Sequence, residues 1–288
     1  MRPIEGARTI ILLIAHNFIL LILKMEAYCI IYFVNNKEKV MVTKKSKITD
    51  TTARRVSRGT TQVSGIEGYL KRIFALMFGA VALTGVAAFL TLATGAVTHL
   101  FNATFTGFSA TYYILLFGGL ALSIWAQVRV FHMKPGTAAW LLALYAILIG
   151  VTMTPLIWAA LSINPVSIIW AFGVAALMFA CMAMFGYKTI KDLSFLGIFL
   201  FIGMLGLILV GIISMFVPLG AGFSAVVSLI GVLIFALFTA YDMQTLKNAY
   251  RYIGDETQKN QMAVLGALHL YISFVAMFQY LLSLFNRE

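Results

Sequence analysis

Acidic residues are scarce in this chain: there are ten Asp and Glu in 288 positions, and only Asp192 and Asp242 fall between Lys71 and Tyr252. Charged residues of both signs make up 11% of the sequence, where a soluble domain carries about 25%. That shortage excludes an ordinary soluble fold, whose surface needs more charge. Cysteine is nearly missing too. Cys29 and Cys181 stand in apolar stretches without a CxxC or a Cys/His cluster, which excludes a disulfide framework and a cysteine metal site and reads as small hydrophobes in packing. The four histidines are too scattered for a metal site. No GxxxxGK[ST], HExxH or GxSxG pattern occurs, so no enzymatic activity and no cofactor are expected.

What the chain has instead is apolar length. Hydrophobic residues account for 61% of it, and several uncharged runs exceed about 18 residues, enough for a helix to cross a hydrocarbon layer. The expected class is an all-α integral membrane protein in contact with the lipid bilayer. Seven apolar segments follow Lys71, at residues 73–97, 111–131, 137–160, 166–186, 193–217, 222–246 and 263–284. Positive charge in the connections alternates with segment parity. The second, fourth and sixth connections hold Arg129 and Lys134, Lys188 and Lys191, and Lys247, Arg251 and Lys259, while "SINP" and "VPLGAG" carry none. The positive-inside rule converts this into a cytoplasmic N-terminus, basic loops inside and a C-terminus outside the cell membrane, in bacterial terms the inner membrane.

The net charge of +11 is concentrated in hydrophilic pieces, above all from Lys37 to Arg58. Beside a span, such a segment reads as a cytoplasmic leader, and no nucleic-acid partner is expected. Three divisions follow: residues 1–40, 41–70 and the membrane domain 71–288. "TIILLIAHNFILLILK" in the first is borderline in length for a span and lacks a small-residue cleavage site. Met41 opens a basic leader, and we expect translation to begin there, with residues 1–40 an upstream extension. Gly197, Gly203, Gly206 and Gly211 are expected to let the fifth helix approach its neighbours, and Pro155 to kink the third.

Candidate chemistry rests on polar groups inside apolar segments. Asp242 closes the sixth run in "LFTAYDMQTLK". Lys247, the first cation after it, is five residues or about 7.5 Å further along a helix, so Asp242 lies just inside the boundary. One reading is an interfacial aspartate that reaches water. The other is an inward-facing group, because a helix C-terminus disfavours negative charge and Lys247 is off the i+3 and i+4 positions where a local ion pair forms. Arg129, in "IWAQVRVFHMK", is either a snorkelling topogenic arginine or the partner of Asp242 in an ion pair that gates the cytoplasmic mouth. On the last segment His269, Ser273, Ala276 and Tyr280 share one helical face, with His269 either a packing residue or a proton-responsive group. Asp192, before the fifth span, reads as a helix cap.

With "VRVFHM", "FGYKTIKDLSFLG", "TAYDMQTLK" and "LGALHLYISFVAMF", the chain resembles the Bax inhibitor-1 family in its bacterial branch over roughly residues 66–285. The resemblance implies a seven-helix bundle with the last helix central, wrapped by the other six. It also implies a pH-sensitive calcium leak in which Asp242 corresponds to the first aspartate of a carboxylate pair and Arg129 to an arginine at the end of the second helix. The second carboxylate position is occupied by Ser273, and a frequent Asn three residues on by Ala276. Two close carboxylates share a proton near neutrality; without the second, the pH response is expected in more acidic solution. Calcium takes six to eight oxygens, so one carboxylate with Ser273, Tyr280 and backbone oxygens makes a weak transit site. The resemblance carries an alternative as well, a non-catalytic regulator that binds a membrane-embedded protease.

Overall fold

The computed structural model describes residues 58–101, 107–216, 220–253 and 255–286. Residues 1–40, the start at Met41 and Cys29 lie outside them. Seven helices follow one another: α1 (Arg58–Ala93), α2 (Ala110–Arg129), α3 (Pro135–Ile163), α4 (Val166–Lys188), α5 (Ser194–Phe216), α6 (Ala221–Tyr252) and α7 (Glu256–Phe285). All seven are long and apolar enough to cross a membrane. Among the described residues there is no strand, only an isolated bridge between Phe101 and Phe108.

The helices match the seven apolar runs but not their ends, and the differences have local causes. α1 stops four residues early because Gly95 adopts φ 70°, a left-handed conformation that glycine enters without a Cβ penalty, and its N–H closes on the Leu92 carbonyl. α6 and α7 overrun their apolar stretches at the end where they meet. α7 starts at Glu256 because Asp255 accepts a hydrogen bond from the Gln258 N–H at 3.0 Å. This Asp-x-x-Gln pattern was visible in the sequence. α5 opens where Asp192 accepts from both the backbone N–H and the hydroxyl of Ser194, at 2.9 and 2.6 Å. α3 runs through Pro155 without a break, although proline withholds the N–H that would bond the Val151 carbonyl.

α7 forms the core. Its most apolar stretch is wholly buried, whereas those of α2, α4 and α5 are 28%, 22% and 28% buried, so these three give most of their surface to lipid. Direct packing on α7 comes from α6, α1, α4 and α3, and the 3-10 turn at Val130–His132 also touches it. α2 instead rests mainly on α3, and α5 on α6. The wrapping is therefore uneven: four helices line the axis and two stand outside.

Close approach depends on glycines that spacing did not single out. A Cβ at Gly150 of α3 would come within 2.5 Å of the Thr84 carbonyl of α1, and one at Gly186 of α4 would overlap the Ala240 carbonyl of α6. Of the glycines expected to act on α5, Gly203 faces Ile234 but Gly206 meets nothing within 4 Å. Cys181 is also a departure from expectation, being an exposed free thiol on α4 rather than a packed one.

Candidate functional site

The basic connections α2–α3, α4–α5 and α6–α7 gather at one end of the bundle, and polar side chains of α6 and α7 hold the first two. Gln244 is the first latch. Its amide oxygen accepts from the Leu193 N–H at 2.8 Å while its Nε2 donates to the Lys191 carbonyl at 2.7 Å. One turn on, Lys247 donates to the Tyr187 carbonyl at 2.6 Å and the Thr189 carbonyl at 3.3 Å. These carbonyls belong to the C-terminus of α4, where a cation is favoured by the helix dipole. Gln261 of α7 reaches the other basic loop, donating to the Met133 carbonyl at 2.7 Å and less closely to Phe131 at 3.4 Å. Arg72 of α1 donates to Asn260 of α7 at 2.6 Å. Thus "TAYDMQTLK" grips "GYKTIKDL", and α7 grips "VRVFHM".

These latches fix how α6 is turned, and with it Asp242. Two contacts set the register of the antiparallel α6–α7 pair. A Cβ at Gly231 would strike the Tyr280 ring, and one at Gly266 would strike the Leu246 side chain. Interpolating between them puts Asp242 level with His269 and Thr239 level with Ser273. Gly231, Phe235, Asp242 and Leu246 share one α6 face by helical spacing, and Phe235 meets Tyr280 at 6.0 Å between ring centroids. Asp242 therefore stands on the α6 face directed at α7, 4% exposed. The facing surface of α7 carries His269, Ser273, Ala276 and Tyr280, all buried. α7 is buried on its other faces too, so inward direction distinguishes none of its residues.

Arg129 is placed otherwise. It is exposed at the end of α2, whose inward side carries Ser123, Gln127 and Val130, and α2 has no extensive packing with α6. The structure thus brings Asp242, His269 and Ser273 to one helix interface and leaves Arg129 at the same end of the bundle on an outer helix. Among the described residues no three His, Cys, Asp or Glu side chains come together, so a cation beside Asp242 would draw its other ligands from neutral oxygens.

Two further features escaped sequence reasoning. In the bundle interior Thr84 of α1 bonds the Tyr271 hydroxyl of α7 at 2.6 Å and the Ala146 carbonyl of α3 at 3.0 Å, joining three helices. A threonine or tyrosine in an apolar run gives no sign of such a junction. The second is a lateral cleft of about 640 Å³ between α1 and α4. Met243 and Phe274, chain neighbours of Asp242 and Ser273, line it, with Glu67, Lys71 and Tyr187 among its polar residues.

The family model described as inhibitor of apoptosis-promoting Bax1 matches residues 66–288. The chain is similar to an uncharacterised protein of Rickettsia prowazekii, 30% identical over 226 residues, covering 78% of this chain and 92% of that one. It is 32% identical over 228 residues to the inner membrane protein YbhL of Escherichia coli, covering 78% and 94%. An uncharacterised membrane protein of Streptococcus pyogenes is 33% identical over 145 residues, covering 50% and 61%. The match takes in every membrane helix and each of the loops that the glutamines hold, and the chain belongs to the Bax inhibitor-1 family.

Proposed function

We propose that the protein is a non-enzymatic cation leak of the cell membrane, with calcium the ion best suited to its carboxylate and with Asp242 as the group that binds the ion in passage. The observation that carries this reading is the burial of Asp242 against the central helix. An ionisable side chain within a membrane span costs at least roughly 2.5 kcal/mol at the bilayer centre, and such groups mark ion or proton pathways. Its depth, just inside the basic end, suits a gate at the cytoplasmic mouth under the positive-inside rule. Arg129, on an outer helix at that end, supplies a countercharge to the pathway, and His269 and Ser273 line it from α7. Ser273 stands where a second carboxylate would create a shared proton and a response near neutral pH.

Calcium flux into liposomes holding the full chain tests this across pH. The expectation is that Asp242→Asn lowers flux about tenfold, equivalent to a barrier higher by roughly 1.4 kcal/mol, and that Ser273→Asp introduces a dependence on pH near neutrality. Wild-type flux equal to that of empty liposomes overturns the reading. A second function, restraint of a membrane-embedded protease, is favoured in that event by the lateral cleft, whose apolar walls suit a partner helix. Co-purification that survives Asp242→Asn but is lost when the cleft is filled by Ala180→Trp would support it.

A further inference from the structure

Where α2, α3 and α7 meet, they line a small pocket of about 20 Å³. Its α7 wall is apolar, formed by Val264, Leu265 and Leu268, but the opposite walls carry Ser123, Gln127 and Tyr145. These three are 1%, 1% and 2% exposed. Gln127 spends its Nε2 on the Ser123 hydroxyl at 3.2 Å. Its other amide atom, Oε1, and the Tyr145 hydroxyl are both buried with no protein partner. Both side chains line the pocket, and buried polar groups are in most cases satisfied by a protein partner or an ordered water.

We propose that the pocket binds one ordered water molecule, which bridges α2 to α3. The volume matches a single water, and buried waters make about three hydrogen bonds to polar groups that would otherwise lack them. The water donates to Gln127 Oε1, accepts from the Tyr145 O–H, and has its second proton for Ser123 Oγ. A methyl group would fill the space but leave Gln127 and Tyr145 unbonded. A cation is disfavoured by the ligand count, since three neutral oxygens fall short of the six to eight that calcium takes. The bridge has a consequence for the outer helix. α2 packs mainly on α3, and Gln127 precedes Arg129 by two residues, so the water fixes the turn that presents this arginine at the basic end.

Radiolytic hydroxyl footprinting of the full chain in detergent, read by mass spectrometry, tests the site, because radicals form from bound water beside buried side chains. Tyr145 and Leu268, 2% and 5% exposed, are expected to be modified at least about threefold faster than Tyr280 and Leu281, which are 5% and 4% exposed and do not line the pocket. Gln127→Met should reduce the labelling of Tyr145 to that of the controls. Because Gln127→Met could fail to fold, Tyr145→Phe provides a second variant, in which the label on Leu268 should fall in the same way. Labelling of Tyr145 and Leu268 at the control rate, or labelling unchanged in a folded variant, overturns the proposal. Neither outcome depends on calcium flux.

Discussion

The two ends of the bundle are built differently. At the basic end, side chains distant in sequence bind loop backbone: Gln244 and Lys247 take the α4–α5 loop, and Gln261 takes the α2–α3 turn. At the other end the closure is largely aromatic. Phe101, Phe108, Tyr112 and Trp158 contact one another with ring centroids 4.3 to 5.6 Å apart, and the bonds there are mostly local, such as the Ser109 hydroxyl to the His99 carbonyl at 2.7 Å. Aromatic packing tolerates sliding, whereas hydrogen bonds to fixed carbonyls define a position. The bundle thus sets its geometry most strictly at the end that holds Asp242, and variants at the two ends should differ in cost.

The largest effect is expected where α4 and α6 touch at the basic end. Gly186→Val would drive two methyl groups and a Cβ into the Ala240 carbonyl, and overpacking of a tight site costs about 1–3 kcal/mol, occasionally more. Thermal denaturation in detergent should show a large loss of stability or no folded protein. Gly206→Ala is the matching control, since its Cβ meets nothing within 4 Å. It should leave stability unchanged or raise it by up to about 1 kcal/mol through helix propensity. If both variants behave alike, the close α4–α6 approach does not exist.

Gln261→Leu comes next. It removes the donor to the Met133 and Phe131 carbonyls and leaves them half-buried beside α7 without that bond, at a cost of about 1–2 kcal/mol by analogy with other hydrogen bonds in membrane proteins. Because the loop held is the one after Arg129, tryptic cleavage at the Arg129–Val130 bond should accelerate in the variant, whereas Lys134, followed by Pro135, is a poor site. A stability change below about 0.3 kcal/mol, within the usual error of additivity, with no change in proteolysis, would show that the α2–α3 turn is held by packing alone.

The sequence revealed the spans and Asp242 for the same reason: length without charge, and then a charge at its edge, are one-dimensional signals. Gln244, Lys247 and Gln261 were invisible as latches because a polar residue beside a basic loop looks like the loop itself. Only the fold shows that α6 and α7 continue past their apolar runs and carry these side chains to carbonyls more than 50 positions away. Glycine spacing likewise could not tell Gly206, which meets open space, from Gly186 or Gly150, which lie against backbone. The helical face of His269, Ser273 and Tyr280 was legible as a pattern. Yet it lost its discriminating value once α7 proved buried all round, and what singles these residues out is the register with α6.

The smallest effect is expected at the opposite end, from Asn286→Ala. Asn286 caps α7, and its Oδ1 lies 2.7 Å from the hydroxyl of Ser167 at the start of α4. That hydroxyl has one proton, and the Asn164 carbonyl competes for it from 2.6 Å. When Asn286 is truncated, Ser167 keeps its local acceptor, so no buried donor is stranded, and the loss should stay within about 0.5 kcal/mol. The comparison between the ends turns on this measurement. A loss as large as that of Gln261→Leu would mean that the Ser167 proton belongs to Asn286, and that α7 is pinned as firmly at its C-terminal end as at the end where Asp242 lies.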